Sequence, residues 1–253
     1  GQNFVVDPNT VRRVARLAGV GAGDHVVEVG AGLGALTLAL AETGAAVTAV
    51  EIDRKLLPAL REVAEPAGVR IVGGDALDMD WGALLGDHDP WALVANLPYN
   101  IATPLIVGLL DEVPAIDRML VMVQREVGER LAAAAGDDAY GAVSVKVAWW
   151  ADAKVVARVP PTVFWPEPNV ESALVEIRRH ARQPSGVDRA KVADLVTAGF
   201  GQRRKMLRRS LAGIGVTPEQ FGAAGIRPDA RAEEIDLAGW AALAKAMASA
   251  KER

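Results

Sequence analysis

The sequence contains no cysteine among its 253 residues, and this absence removes several kinds of chemistry at once. Disulfide bonds, thiolate nucleophiles and cysteine metal ligands are all excluded, and the absence is compatible with a cytoplasmic protein. Histidine is nearly as rare, because only His25, His88 and His180 occur and they lie far apart in the sequence. We therefore expect no metal site.

Long apolar runs are also missing. No stretch of about 18 apolar residues occurs, so we expect no membrane-spanning helix and no membrane partner. The residues at 1–4 lack the basic start and apolar core of a signal peptide, which again favours the cytoplasm. The composition is that of a globular protein, with 51% hydrophobic and 24% charged residues. The length suits one large domain or two smaller ones.

An overall excess of positive charge is lacking too. The formal net charge is −4, which argues against a nucleic-acid partner, because such binding depends on neutralising phosphates. The distribution of charge is less even than this sum suggests. Between Arg178 and Arg209 the chain has many lysines and arginines and only two acidic residues, Asp188 and Asp194. The sequence therefore leaves room for a local basic surface on an acidic protein.

The segment Asn96–Tyr99 follows a strand-like apolar run, Trp91–Ala95. The Asn96 side chain offers an amide oxygen as a hydrogen-bond acceptor, Pro98 stiffens the turn, and Tyr99 offers a flat face for stacking on a base. Acceptors that draw on both N–H bonds of an exocyclic amine would free its lone pair and stabilise the developing charge. The segment thus indicates methylation of an exocyclic amine, although an ordinary strand-to-helix turn explains the four residues alone equally well.

A strand, a glycine loop, a helix and a second strand are predicted over residues 25–53. Glycines let the backbone approach a ligand closely, and the N-terminus of the helix offers free N–H groups. The acidic residue at the end of the second strand, Glu51, suits the two hydroxyls of a ribose. This unit predicts an adenosine-containing cofactor but does not say which one. The pattern Gly30-x-Gly32-x-x-Ala35 with Glu51 also fits the dinucleotide fingerprint of nicotinamide enzymes.

Alternating strands and helices are predicted further along the chain. Strands are expected at 69–72, 119–123 and 173–178, and helices near 104–112 and 125–135. Asp75 follows the first of these strands, where its carboxylate could accept hydrogen bonds from an adenine amino group. Residues 143–159 are apolar and β-rich, although 143–150 could instead form a buried helix.

The C-terminal part of the chain is predicted to be helical. Residues 182–186 have the composition of a linker, and apolar residues recur at helical spacing beyond them. A basic run lies within this part, in Phe200–Lys205, and continues at Arg208 and Arg209. Such a run is usually a solvated helix face, and contact with RNA phosphates is the sharper alternative. We place the domains at 1–180 and 187–253.

Taken in order, these motifs resemble those of the KsgA-type small-subunit (16S) ribosomal RNA adenine dimethyltransferases. Each motif is weak alone, whereas the ordered set is specific and covers nearly the whole chain. The matching segments are 1–4, Glu28–Gly34, Val50–Asp53, Gly74–Leu77, Asn96–Ile101, Val163–Ser172 and Gln202–Lys205. The sequence departs from the family at Val5, where leucine is frequent, and at Glu167 and Asn169, which make the proline-rich loop less basic.

The resemblance implies an α/β fold in which a Rossmann-like, S-adenosylmethionine-dependent methyltransferase sheet precedes a small all-helical C-terminal domain that contacts RNA. It implies methylation of N6 of two adjacent adenosines near the 3′ end of small-subunit ribosomal RNA, giving N6,N6-dimethyladenosine and S-adenosylhomocysteine. A role in small-subunit biogenesis follows, with the small ribosomal subunit and its RNA as partners. We expect a cytoplasmic monomer that needs no metal.

The resemblance also assigns roles to individual residues. The cofactor-binding positions would be Asn3, Val5, Gly30, Gly32, Glu51, Ile52, Asp75, Ala76 and Asn96. The catalytic positions would be Asn96, Leu97, Pro98, Tyr99 and Phe164. The RNA-binding positions would be Arg203, Arg204, Lys205, Arg208 and Arg209. Glu51 would hold the ribose and Asp75 the adenine amine of the cofactor. Asn96 and Tyr99 would hold the target base, with Phe164 as a second stacking face.

Three alternatives stay open. The large-subunit adenine N6-methyltransferases of the macrolide-resistance type share most catalytic motifs, but Arg203–Lys205 and the full helical tail favour the small-subunit group. A nicotinamide-dependent dehydrogenase would explain the glycine loop and Glu51, but it would not explain Asn96–Tyr99. A ribosome-assembly factor whose binding matters more than its methylation fits the same residues, because one protein can do both.

Overall fold

The computed structural model describes residues 2–181, 186–202 and 205–251. Within these ranges the strands are β1 (Phe4–Val5), β2 (His25–Val29), β3 (Ala46–Glu51), β4 (Arg70–Gly73), β5 (Trp91–Asn96), β6 (Ile116–Gln124), β7 (Ala151–Val159), β8 (Phe164–Trp165) and β9 (Ser172–Arg179). The α-helices are α1 (Pro8–Ala18), α2 (Ala35–Ala41), α3 (Leu57–Ala64), α4 (Trp81–Leu85), α5 (Ala102–Glu112), α6 (Arg125–Ala132), α7 (Ala142–Trp150), α8 (Arg189–Gly201), α9 (Leu207–Ser210), α10 (Pro218–Ala223) and α11 (Leu237–Lys251).

One sheet of seven strands organises the first part of the chain, in the order β4-β3-β2-β5-β6-β9-β7. Strands β2 to β6 are parallel to their neighbours, and β9 runs antiparallel to β6. The chain builds outward from β2 on one side and from β5 on the other, so the strand order reverses between them. Ligands of such sheets bind outside the carboxyl ends of the strands at this reversal. Gly30 and Asn96 stand at these two strand ends.

The central strands are apolar almost throughout, as expected for parallel strands covered on both faces. Val26 and Val27 of β2 and Leu93 of β5 are fully buried. Helix α1 begins directly after Asp7. The Asp7 carboxylate caps it by accepting a hydrogen bond from the backbone N–H of Thr10 at 2.8 Å.

The chain divides into two compact units, and each has its own apolar core. The first unit comprises Gly1–Glu129 and Asp152–Arg179, and the second comprises Arg130–Ala151 and His180–Arg253. The first core includes Val14, Val26, Leu40, Ala49, Leu60, Val94, Met122 and Phe164. The second core includes Tyr140, Val145, Trp149, Val192, Leu195, Leu207, Phe221, Trp240 and Leu243.

This division differs from the predicted boundary in one stretch, Arg130–Ala151, which we placed in the first domain. Helix α7 explains the difference, because its Val145 and Trp149 pack in the second core. The Tyr140 hydroxyl also donates a 2.8 Å hydrogen bond to the Ile235 carbonyl oxygen. The two interpretations of 143–159 each hold for one half, since α7 ends at Trp150 and β7 follows it directly. Residues 182–185 of the predicted linker lie outside the described residues.

Candidate active site

The turn after β5 is held by its backbone. The Leu97 N–H donates to the Met122 carbonyl at 3.0 Å, which extends the pairing of β5 with β6 by one residue. The Pro98 carbonyl then accepts from the N–H groups of Ile101 and Ala102, at 3.1 and 3.2 Å, and starts the turn that leads into α5. Asn96 therefore stands at a fixed position on the carboxyl edge of the sheet.

The Asn96 side chain is oriented by a single contact. Its Nδ2 donates a 3.0 Å hydrogen bond to the Asn3 carbonyl oxygen. Among the described residues, no donor is found for Asn96 Oδ1, so this oxygen is available to a ligand N–H. The prediction that Asn3 and Asn96 belong to one site is consistent with this contact.

Tyr99 is held from the neighbouring strand. Its hydroxyl lies 3.0 Å from the hydroxyl of Ser172, which is fully buried at the start of β9. The side chain of Leu97 is buried, so only its main chain is placed to act in the site. Phe164 is 3% exposed and packs in the first core. Its predicted stacking role is therefore not visible in this arrangement and stays a prediction.

Two glycines bring the loop after β2 close to neighbouring backbone. Gly30 has φ +76°, and a Cβ at this position would lie 3.6 Å from the Asn96 carbonyl oxygen. Gly32 has φ +58°, and a Cβ there would lie 2.9 Å from Cε1 of Phe4. A side chain would be strained at both positions, because φ is positive, and crowded at Gly32. The loop thus lies between the Asn96 turn and β1.

Glu51 fastens this loop. It ends β3 with only 3% of its surface exposed. Its Oε2 accepts a 2.7 Å hydrogen bond from the Gly32 N–H, and its Oε1 accepts a 2.8 Å bond from the Asp53 N–H. A carboxylate oxygen has two lone-pair positions, so each can still accept a hydroxyl. The next side chain, Ile52, is 58% exposed and offers an apolar face at the same edge.

Asp75 follows the carboxyl end of β4. The Gly74 N–H donates to the Glu51 carbonyl at 3.0 Å, so the segment stays beside β3. Oδ1 of Asp75 accepts a 2.9 Å bond from the Leu77 N–H, which leaves Oδ2 for a ligand. Ala76 is buried, and its carbonyl accepts a 3.2 Å bond from the Trp81 indole N–H. Its side chain is thus part of the packing beneath the site.

Glu28 lies in β2 just before the glycine loop, and no role was predicted for it. Its side chain is almost completely buried, and neither its Oε2 nor the Thr37 hydroxyl has a well-formed hydrogen bond. Burial raises the pKa of Glu28 to about 8, the nearby Thr37 hydroxyl lowers it, and the negative charge of Glu51 raises it further. The presence of an ionisable residue within the otherwise apolar run Val26–Val29 is the sequence signal that could have identified Glu28 as unusual.

The predicted RNA-binding residues lie in the second unit. Lys205, Arg208 and Arg209 are exposed there, and Arg208 and Arg209 stand on the short helix α9. Arg203 and Arg204 lie outside the described residues. The described part of this run is therefore accessible to a phosphate backbone.

The first unit thus places two carboxylates, an apolar face and a close-approach glycine loop along one edge of a parallel sheet. These groups fit an adenosine-containing ligand: Glu51 offers oxygens to ribose hydroxyls, Asp75 to an adenine amine, and Ile52 a surface for the adenine ring.

In the part of the chain that the structure describes, no group of three or more histidine, aspartate or glutamate side chains could hold a metal ion. None of its helices is long and apolar enough to cross a membrane.

The fold and this site define a Rossmann-like methyltransferase. A dimethyladenosine transferase from Plasmodium falciparum has the same fold, with a TM-score of 0.77, 21% identity and 95% of each chain covered. The structure of the 23S rRNA methyltransferase ErmE is similar with a TM-score of 0.74, 26% identity, and 97% of this chain and 99% of that chain covered.

Comparison of sequences defines the family more narrowly. A relative from Cutibacterium acnes, named ribosomal RNA small subunit methyltransferase A, is 48% identical over 99% of this chain and 88% of its own length. A relative of the same name from Thermobifida fusca is 49% identical over 97% of this chain and 88% of its own length. The profile of the ribosomal RNA adenine dimethylase family matches residues 1–249. The chain belongs to this family, which confirms the predicted resemblance and sets the dehydrogenase alternative aside.

Proposed function

We propose that the protein transfers methyl groups from S-adenosylmethionine to N6 of two adjacent adenosines near the 3′ end of small-subunit ribosomal RNA. The product is N6,N6-dimethyladenosine. The observation that carries the proposal is Asn96 Oδ1, an acceptor without a partner among the described residues, held in place by the Asn3 carbonyl. The relatives named small subunit methyltransferase A support this choice of substrate.

The cofactor would lie along the edge formed by the ends of β2, β3 and β4. Glu51 would accept hydrogen bonds from the ribose hydroxyls, and Asp75 Oδ2 from the adenine amine. The rest of the cofactor would lie against Gly30, Gly32 and the backbone of Asn3. S-adenosylmethionine supplies an electrophilic methyl group on a sulfonium. The residues of the chain have to fix where that methyl group faces the substrate.

The target adenine would enter the site unstacked from its neighbours. Asn96 Oδ1 would accept a hydrogen bond from one N6–H, and a main-chain carbonyl of the turn would accept one from the other. Both contacts draw the nitrogen lone pair out of conjugation and stabilise the positive charge that grows on N6 during attack. Tyr99, held by Ser172, would stack on the ring. Positioning supplies most of the rate, and the product amine releases its proton to water.

The second unit would contribute RNA contacts through Lys205, Arg208 and Arg209, together with Arg203 and Arg204. The small ribosomal subunit and its RNA would be the partners of a cytoplasmic monomer. We extend the proposal to small-subunit biogenesis, which the resemblance to the small-subunit methyltransferases implies.

A large-subunit RNA substrate is the second candidate function. The observation that favours it is the similarity to the 23S rRNA methyltransferase ErmE, at 26% identity over almost the full length of both chains. The curated relatives named for the small subunit are 48% and 49% identical. This difference favours the small-subunit substrate.

Nucleoside mass spectrometry tests the proposal. Small subunits from a bacterium that lacks this modification would be incubated with the protein and S-adenosylmethionine, with naked large-subunit RNA in parallel. We expect dimethyladenosine only in the small-subunit sample, and none with Asn96→Ala. Dimethyladenosine only in the large-subunit sample would favour the second candidate function, methylation of large-subunit RNA. An assembly defect that Asn96→Ala rescues would make binding, rather than methylation, the essential role.

A further inference from the structure

Trp165 is a large apolar side chain in an unusual position. It is 67% exposed, whereas its neighbour Phe164 is 3% exposed. Both belong to β8, which pairs antiparallel with β1 so that Trp165 lies opposite Phe4 and Phe164 lies opposite Val5. Opposite residues of an antiparallel pair project from the same face. Trp165 and Phe4 therefore share the face that is turned away from the first core.

This face borders the candidate active site. Phe4 packs so closely on Gly32 that a Cβ there would lie 2.9 Å from its ring. The residue before it, Asn3, accepts the hydrogen bond from Asn96. Directly opposite side chains have their Cβ atoms about 5 Å apart. The Phe4 side chain thus lies between the exposed indole and the glycine loop.

Helix α1 follows β1 after only two residues and carries a separate feature. Its exposed face presents Arg12, Arg13 and Arg16, and no acidic residue occurs in the helix. Within the described ranges, none of these three guanidinium groups has a hydrogen-bond or ion-pair partner. The opposite face of the helix is buried in the first core.

Several other cations of the same unit are paired. Arg61 lies 3.7 Å from Glu65, and Lys154 and Arg178 both contact Glu176, at 2.6 and 2.7 Å. A chain with a net charge of −4 that leaves three arginines together without counter-charges keeps a local positive potential there. Such a potential attracts a polyanion.

We propose that Trp165 and the arginines of α1 form a second RNA-docking surface, which holds the single-stranded segment next to the target adenosine. The Trp165 indole stacks on an unpaired neighbouring base, and Arg12, Arg13 and Arg16 contact the phosphates that follow. RNA is the occupant that this surface favours, because single-stranded nucleic acid is bound by exposed aromatic faces together with unpaired arginines. The proposal rests on the proposed function and adds a contact outside the catalytic turn.

Two variants separate the two parts of this surface. In the first, Arg12→Gln, Arg13→Gln and Arg16→Gln are combined, because glutamine keeps the helix propensity and removes the charge. Its control combines Arg61→Gln, Lys154→Gln and Arg178→Gln, which removes the same charge from cations that already have partners. The second variant is Trp165→Ala, with Trp165→Phe as the conservative replacement that keeps a ring for stacking.

Steady-state methylation of unmodified small subunits and binding of the same subunits at several salt concentrations are the readouts. We expect the α1 triple variant to raise KM and to lower the salt slope of log K by about 2, at about 0.7 per single-strand phosphate. The control should leave the slope unchanged. Trp165→Ala should raise KM about tenfold without changing the slope, and Trp165→Phe should restore most of the loss. Calorimetric affinity for S-adenosylmethionine and thermal stability should stay at wild-type values.

Unchanged KM and salt slope in both variants would overturn the proposal. A loss of subunit binding with unchanged binding of naked small-subunit RNA would also overturn it, because the surface would then contact a ribosomal protein. The proposed function fails separately, if the wild-type protein produces no dimethyladenosine on the subunits at all.

Discussion

Glu51 has a structural task beside the ribose-binding role predicted for it. In the structure its carboxylate accepts hydrogen bonds from the Gly32 and Asp53 N–H groups. Its carboxylate therefore fixes the shape of the loop after β2.

Glu51→Ala should weaken S-adenosylmethionine binding by about 1.5–3 kcal/mol, because charge-assisted hydrogen bonds to the ribose are lost. Isothermal titration calorimetry measures this directly. Glu51→Gln is the matched control, since it keeps one oxygen for the loop but loses the charge, and its affinity should fall by less. An unchanged affinity in Glu51→Ala would remove the ribose-binding role.

Glu28 carries a different kind of constraint. Its pKa is raised to about 8 in the folded protein, first by burial, from the ordinary value of 4.5. Between these two pH values the folded state keeps a proton that the unfolded state has released. The free energy of unfolding therefore falls as the pH rises from about 4.5 to about 8.

Glu28→Gln should abolish this part of the pH dependence, because glutamine mimics the protonated carboxyl. Between about pH 5 and about pH 8 the wild-type free energy of unfolding should fall by roughly 3 kcal/mol more than that of the variant. Urea unfolding at several pH values measures both. Glu62→Gln, at an exposed position, should follow the wild-type profile. Parallel profiles for wild type and Glu28→Gln would contradict the assignment.

The glycine loop and β1 act as one element of the site. Gly32 needs a positive φ, which many loops require, but its contact with Phe4 is particular to this site. Gly19 offers a comparison, because it has φ +60° at the end of α1 and no atom lies within 4 Å of a Cβ built there. The two glycines share the same backbone constraint and differ in what surrounds them.

Gly32→Ala and Gly19→Ala should each destabilise the protein by about 1 kcal/mol, the cost of a side chain in the left-handed region. Only Gly32→Ala should also displace Phe4 and weaken cofactor binding, by about tenfold or more, since Gly32 donates to Glu51. Thermal unfolding and calorimetry measure the two effects. Equal cofactor affinity in both variants would show that the loop tolerates displacement of β1.

At the scale of the whole molecule, the sequence predicted the parts that follow from local patterns. Apolar runs bounded by glycines located the strands of the parallel sheet, and Asn96–Tyr99 was predicted at its carboxyl edge. The assignment of α7 to the second unit depends on contacts with Val192 and Leu195, which are remote in sequence. The burial of Phe164 and the exposure of Trp165 depend on the register between β1 and β8. No periodicity within two-residue strands could indicate that register.

Charge also has to be considered for the whole molecule, because RNA binding depends on where cations lie rather than on their sum. Replacing Lys205, Arg208 and Arg209 with glutamine should lower the salt slope of log K for small-subunit binding by about 2. The rate at saturating substrate should not change. A charge-matched control replaces Arg189, Arg227 and Arg231, because Arg189 lies over the Trp150 ring and the other two pair with Glu234 and Glu233. Equal salt slopes in the variant and the wild type would contradict the predicted RNA contact. Lys205, Arg208 and Arg209 would then belong to an ordinary solvated helix face.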